Sequence, residues 1–265
     1  MDFARINGVT LHYRSVGNDS HRPLIVFINS LGTDFRIWDP VIAELGEDYA
    51  YLLHDKRGHG LSDLGEAPYS IDDHVDDLIG LLEKVATRPV ILWGLSVGGL
   101  IAQGLYAKRP DLVRAIVLSN TAHRIGTAEM WNTRIAKIEA DGLASLLEPI
   151  MERWFTPAFR RVDNPVYAGC CTMLLRQSAA GYNGTCAAIR DADFTEAARR
   201  IAVPVLCVAG DGDGSTPVEL VKSTADLIPG SQFAVIEACA HIPCIEQPAA
   251  YAARVRTFLK TLPET

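Results

Sequence analysis

The chain has 265 residues, 48% hydrophobic and 22% charged, with a net charge of −7, enough for a substantial core but without the basic surface that nucleic acid requires. Basic runs stop at pairs such as Lys56-Arg57 and Arg199-Arg200, so an anionic small partner would need a local cation rather than a global field. The N-terminus lacks a signal-peptide pattern, no apolar run reaches membrane-spanning length, and the six cysteines show neither Cys-x-x-Cys nor zinc-finger spacing, so a cytoplasmic protein with reduced packing thiols and no metal is expected.

The first fourteen residues alternate polar with apolar around Asn7-Gly8 and predict an opening β-hairpin. Continuous apolar runs follow at Pro23 to Ile28, Ala50 to Leu53, Val90 to Trp93, Ala115 to Leu118, Val203 to Val208 and Phe233 to Ile236. Such runs suit strands buried on both faces. Ser70-Ile71-Asp72-Asp73 predicts the start of a helix with Val75, Leu78, Leu81 and Leu82 on one face. Further helices are expected over 97–108, 218–228 and 248–262. Alternating strands and helices imply an α/β protein with a mostly parallel eight-stranded sheet flanked by helices. The stretch 127–199 breaks the alternation. It has no strand-like run but carries helical pattern at Trp131, Ile135, Ile138, Leu143, Met151 and Trp154. It reads as a helical cap inserted after strand 6, dividing a core of residues 1–126 and 200–265 and covering the site from the carboxyl ends of the strands.

Gly94-Leu95-Ser96-Val97-Gly98 sits between the run ending at Trp93 and a helix rich in small residues. A serine on a sharp turn needs neighbours without a Cβ, so that strand and helix can approach. This stretch resembles the nucleophile elbow of the α/β-hydrolase superfamily, which implies Ser96 as nucleophile and the chain order serine, acid, histidine. Gly210-Asp211-Gly212-Asp213 offers two acids; fit to the family pattern favours Asp213, with Asp211 left to local turn hydrogen bonds. His241, after the last strand, is the expected general base, oriented by the acid. His54 and His59, at the top of the sheet, are the serious alternatives. His12 falls in the hairpin, His21 in a polar loop, His74 on a solvated helix face, and His123 before the acid loop. The superfamily pattern implies an oxyanion hole from the N–H groups of Val97 and Leu31, the latter in Asn29-Ser30-Leu31-Gly32. Many relatives have His-Gly where this chain has Asn29-Ser30. Asp55-Lys56-Arg57-Gly58-His59-Gly60-Leu61-Ser62 is a second hallmark; Gly58 and Gly60 are expected to permit a tight turn, and Arg57 to tie loops together.

Four stretches narrow the resemblance: Phe27 to Asp34, Leu118 to Ala122, Gly184 to Asp193 and Ala240 to Pro248. Through them the chain is similar to bacterial 3-oxoadipate enol-lactonases (β-ketoadipate enol-lactone hydrolases). That resemblance implies hydrolysis of a small lactone carrying a carboxylate, in the β-ketoadipate pathway of aromatic-compound degradation, with no metal or organic cofactor. A desolvated carboxylate needs a cation. Arg134 follows Trp131 by about one helical turn, so the two share a face. Arg134 is therefore expected to pair with the carboxylate and Trp131 to pack on the lactone ring, with Arg190 and Arg176 as alternatives. Other α/β-hydrolases (a general carboxylesterase, a C–C bond hydrolase, a perhydrolase) and a slow-turnover small-molecule receptor are the rival readings. Neither nucleic acid nor membrane is expected as a partner, and a homo-oligomer is compatible with the sequence.

Overall fold

The computed structural model describes residues 2–18 and 22–263; His21 lies outside them. The chain runs β1 (Asp2–Ile6), β2 (Val9–Val16), β3 (Leu24–Ile28), α1 (Asp39–Leu45), β4 (Ala50–His54), α2 (Ile71–Val85), β5 (Val90–Leu95), α3 (Val97–Lys108) and β6 (Val113–Ser119). After β6 come α4 (Ala128–Asp141), α5 (Leu147–Trp154), α6 (Pro165–Leu175), α7 (Ala179–Asp191) and α8 (Thr195–Ala198). The chain then returns to the sheet through β7 (Val205–Gly210), α9 (Val218–Leu227), β8 (Gln232–Ile236), α10 (Pro243–Glu246) and α11 (Pro248–Leu259).

The eight strands form one sheet in the order β1-β2-β4-β3-β5-β6-β7-β8. Only the β1–β2 and β2–β4 pairings are antiparallel. Asn7 and Gly8 both take positive φ, 45° and 82°, as a tight hairpin turn requires. Every residue of β3, β4 and β5 is buried, which explains their unbroken apolar runs: helices cover the sheet on both sides. Trp93, Trp38, Phe27 and Tyr251 form an aromatic cluster at its centre, with ring centroids 4.6–5.8 Å apart. Two strands start later than their apolar runs. Pro23 and Pro204 precede β3 and β7, because proline has no N–H for the ladder; their carbonyls still accept from Ala50 and Ile116 at 3.0 Å.

Ser70 caps α2: its hydroxyl accepts from the Asp73 N–H at 3.1 Å, and the Asp73 carboxylate accepts the Ser70 N–H at 2.8 Å. The same helix corrects one expectation. His74 is 2% exposed, not solvated. Helix α7 comes down on this part of α2, bringing Thr185 Oγ1 to 3.4 Å from His74 Nε2. Burial first, then the charges of Lys56 and Arg57, hold the imidazole well below its usual pKa. A helical period marks the outward face of one element but not what a distant helix will cover.

The topology places the site. From β3 the chain moves to β4 on one side, then crosses back to β5 on the other. Loops leaving the carboxyl ends of β3 and β5 therefore diverge and open a crevice. Ile28 and Gly94 are register partners, so the loop after β3 and the turn after β5 start level with each other. Five α-helices, α4 to α8, a 3-10 helix at Leu143–Leu146 and no strand lie between β6 and β7. Among the described residues no helix is long and apolar enough to cross a membrane.

Candidate active site

Ser96 occupies the turn between β5 and α3 with φ 58° and ψ −119°, a conformation that residues with a Cβ rarely adopt. The surroundings hold it there. Its N–H donates to Ser119 O at 2.9 Å, and its carbonyl accepts from Gly99 N at 2.8 Å and Thr121 Oγ1 at 2.6 Å. A Cβ on Gly94 would fall 2.3 Å from Gly98 O, and one on Gly98 would fall 2.1 Å from Ile28 O. Both glycines are therefore demanded by close backbone approach.

Asp213 lies beyond the end of β7 and is 5% exposed. Its Oδ1 accepts from the N–H groups of Ser215 (2.7 Å) and Thr216 (3.1 Å). Its Oδ2 accepts from Thr216 Oγ1 (2.7 Å) and Asn120 Nδ2 (2.9 Å) and lies 2.8 Å from His241 Nδ1. Burial is the largest influence and opposes ionisation, but His241, Thr216 and Asn120 together outweigh it and hold the carboxyl below its usual range. Asp211 takes a different position. It accepts from Ala238 and Cys239 N–H groups at 3.0 Å, so it ties the acid loop to the turn that leads into His241, a longer reach than a local turn.

His241 is 3% exposed. Its N–H donates to Trp154 O at 3.1 Å, and its loop is pinned by Glu246, which accepts from Ala240 N at 2.7 Å and from Thr156 N at 2.9 Å. Glu246 thus couples the histidine loop to the segment after α5. Leu31 lines the same cavity as Ser96 and His241, and Val97 opens α3 directly after Ser96. Neither the Leu31 nor the Val97 backbone N–H has an acceptor among the described residues, so both remain available to an oxyanion.

The other histidines stand elsewhere. His59 Nε2 accepts from Gly32 N at 3.0 Å, and burial lowers its pKa well below normal. Burial lowers His54 to about 4. His12 pairs with Asp55 at 2.7 Å under the hairpin. His123 contacts Thr224 at 3.0 Å. None of them lines the Ser96 cavity. Arg57 makes two 2.7 Å bonds to Asp77. Gly58 and Gly60 take φ 74° and 54°, and a Cβ on Gly60 would lie 2.1 Å from the Asp55 carboxylate. This loop is a structural clamp.

The cavity, about 70 Å³, is bounded by Ser96, His241, Leu31, Trp131, Arg134 and Arg153. Trp131 is 5% exposed and donates to Ile125 O at 2.7 Å. The Arg134 guanidinium carbon sits 4.9 Å from the Trp131 ring centre, and Nη1 reaches Tyr182 Oη only at 3.5 Å. Arg190 instead bonds Asp191 (2.7 Å) and Asn132 (2.9 Å), and Arg176 is exposed at the end of α6; neither lines the cavity. Arg153, on α5, is a second cavity cation that the sequence reading missed. The residue is exposed overall, but partial burial of its guanidinium and then the Arg134 charge lower its pKa. Among the described residues neither Arg134 nor Arg153 has a carboxylate within ion-pair distance. Two guanidiniums without a carboxylate partner, in one cavity with Ser96 and His241, suit an anionic substrate.

Asn120 was also missed as a functional residue. It bridges Asp213 Oδ2 and Ala240 O (3.1 Å), with φ 46°. Its signal was present: Ser119-Asn120-Thr121 is a polar run at the carboxyl end of an apolar strand, where open α/β sheets place ligands. A larger depression of about 830 Å³, lined by Asn7, Arg57, Glu66, Asp73, Asp76 and Glu83 among others, holds no serine, histidine or cysteine. Among the described residues no group of three or more His, Cys, Asp or Glu side chains is arranged to hold a metal ion.

Known proteins resemble this chain over most of its length. A model of the Alpha/beta hydrolase family matches residues 25–254. The chain is 34% identical to 3-oxoadipate enol-lactonase 2 of Acinetobacter baylyi, over 95% of this chain and 94% of that one. It is 27% identical to 2-(acetamidomethylene)succinate hydrolase of Mesorhizobium japonicum, over 89% and 86%. The crystal structure of the enol-lactonase from Burkholderia xenovorans superposes with a TM-score of 0.94 at 33% identity, covering 98% of this chain and 100% of that one. The chain therefore belongs to the alpha/beta hydrolase family and is a hydrolase similar to 3-oxoadipate enol-lactonases.

Proposed function

We propose that the protein hydrolyses 3-oxoadipate enol-lactone to 3-oxoadipate, in the cytoplasm, within the β-ketoadipate pathway of aromatic-compound degradation. Ser96 Oγ attacks the lactone carbonyl while His241 takes its proton, with Asp213 holding the imidazole through Nδ1. The oxyanion is held by the N–H groups of Leu31 and Val97. Collapse breaks the ring C–O bond; the enol leaves with the proton from His241 and tautomerises to the ketone. Water then attacks the acyl-enzyme, giving up a proton to His241, and Ser96 is regenerated as the second carboxylate is released. An enol is a better leaving group than an alkoxide, so this step needs little acid assistance.

The observation that carries this reading is the pair of unpaired guanidiniums, Arg134 and Arg153, in one cavity with Ser96 and the His241–Asp213 pair. In a chain of net charge −7, such a cation pair selects for a carboxylate. We assign Arg134 to that carboxylate, Trp131 to the ring, Arg153 to further charge neutralisation, and residues 127–199 to a cap over the site. The enol-lactonase relatives support the lactone as substrate. The second guanidinium also favours a second reading, hydrolysis of a succinate-type dianion, as in the name of the Mesorhizobium relative. Steady-state hydrolysis of freshly prepared enol-lactone, beside a short-chain p-nitrophenyl ester and a methylene-succinate amide, separates these. A kcat/KM for the lactone orders of magnitude above both, abolished in Ser96→Ala, is expected. Preference for the amide selects the second reading, and preference for the ester leaves a general esterase.

A further inference from the structure

The Ser30–Leu31 peptide is held from behind by a buried lysine. Lys56 is 2% exposed, and its Nζ donates to Ser30 O at 2.6 Å. Thr33 Oγ1 donates to the same oxygen at 3.0 Å. Among the described residues Lys56 Nζ has no other acceptor and no carboxylate within ion-pair distance. That use is unusual. A buried ammonium loses its hydration, and one kept for stability alone would be expected to face a carboxylate. The environment registers the cost: burial pulls the lysine down to about 7, against the more distant charges of Asp55 and Asp34, which hold it up.

The geometry has a direct consequence. A trans peptide is planar, with its C=O and N–H pointing in opposite directions. Fixing the Ser30 carbonyl toward Lys56 fixes the Leu31 N–H toward the opposite side, and Leu31 is the residue of this loop that lines the Ser96 cavity beside Ser30. A cation on the carbonyl also draws electron density from the amide nitrogen and makes its N–H a stronger donor. The rest of the loop is anchored independently: Asn29 Nδ2 donates to His54 O at 3.0 Å, Trp38 Nε1 to Asn29 Oδ1 at 2.9 Å, and Gly32 N to His59 Nε2 at 3.0 Å. Loss of Lys56 would thus leave the loop in place and the Ser30–Leu31 peptide plane held by Thr33 Oγ1 alone.

We propose that Lys56 is a positioning residue for the oxyanion hole, orienting and polarising the Ser30–Leu31 peptide so that the Leu31 N–H stabilises the tetrahedral intermediate. It acts through that peptide and not on the substrate. The inference rests on the role given to Leu31 in the serine-hydrolase reading.

The test compares wild type, Lys56→Met, Lys56→Arg and Thr33→Val on a neutral p-nitrophenyl ester, which does not call on the cavity arginines. Removing a whole oxyanion donor costs about 10²–10³ in kcat. Misaligning one is expected to cost Lys56→Met roughly 10–100-fold in kcat, with KM within about 2-fold, because the contact strengthens only in the transition state. Affinity for a boronic acid that forms a tetrahedral Ser96 adduct should fall in parallel. Lys56→Arg should restore much of both. Thr33→Val, which removes the neutral donor, should lose about 2–10-fold, and it carries the test if Lys56→Met does not fold. A folded Lys56→Met with wild-type kcat and boronate affinity overturns the proposal, as does an equal rise in KM with kcat unchanged. If wild type neither turns over the ester nor depends on Ser96, the serine-hydrolase reading itself fails, an outcome distinct from both.

Discussion

The strain at Ser96 gives a prediction whose size follows from the backbone. Ser96 keeps a Cβ at φ 58° and ψ −119°, which costs of order 1–3 kcal/mol. Glycine at this position would release that strain, offset by about 0.4–1 kcal/mol of added unfolded-state entropy. Because Ser96 lines the cavity, removing its Cβ forfeits little packing. The suitable reference is Ser96→Ala, which also lacks the hydroxyl but keeps the Cβ. From the middle of each range, the difference is then about 1–2 kcal/mol in favour of Ser96→Gly. Over 265 residues, an unfolding entropy of roughly 2.1 cal/mol/K per residue converts this to a Tm about 2–4 °C above that of Ser96→Ala. Both variants should be inactive on the lactone. Thermal unfolding by calorimetry at one pH measures the difference. A Ser96→Gly protein that melts at or below Ser96→Ala would refute the idea that Ser96 is held in a strained turn.

Further outcomes concern the cavity arginines, Asp213 and Arg57. Arg134→Ala and Arg153→Ala should each raise KM for the enol-lactone, Arg134→Ala by about 10–100-fold, the loss of a charge-assisted hydrogen bond; KM for a neutral ester should not move, and an equal effect on both substrates would remove the carboxylate assignment. Asp213→Asn should lower kcat by about 10⁴-fold through the loss of the histidine's orienting partner. Asp213 has a depressed folded-state pKa, so its stabilisation is present above the unfolded carboxyl value, about 3.9, and is lost as pH falls through the folded value. The urea-unfolding advantage of wild type over Asp213→Asn should therefore be full at pH 7 and shrink below about pH 4; an advantage independent of pH would contradict this. Arg57→Ala breaks a pair whose side chains are 8% and 4% exposed and should cost about 3–5 kcal/mol in urea unfolding. The rate per folded molecule should stay near wild type; its collapse would mean that this loop takes part in the chemistry.

Much of the candidate site was legible because its chemistry imposes local rules. Ser96 needs glycines at Gly94 and Gly98, and those leave a spacing that any reader can find. Asp213 and His241 stand just past apolar strands in a fixed chain order. What escaped depends on contacts across long separations. Asn120 meets Asp213 and Ala240, 93 and 120 residues away. Glu246 joins the His241 loop to Thr156, 90 residues earlier. Arg153 is one arginine of many until α5 turns it toward Arg134. His74 looks solvent-facing on α2 until α7 covers it. In each case the partner that sets the side chain's role is distant in sequence, even where, as at Asn120, a local polar run marks the place.

The sequence by itself determined the strand runs, the cap at Ser70 and the glycine spacing around Ser96, because these depend on the bonding needs of a few adjacent residues; the order of serine, acid and histidine was implied by the family resemblance. Only the tertiary structure decided which groups share a cavity, which histidines are buried, and which cations lack a carboxylate. The crossing from β4 back to β5 opens the crevice beside β3, and the helices between β6 and β7 bring Arg134 and Arg153 to it. Charge pairing and burial are properties of three-dimensional neighbourhoods, and the same arginine is a substrate clamp or a solvated surface group depending on which neighbourhood the fold supplies.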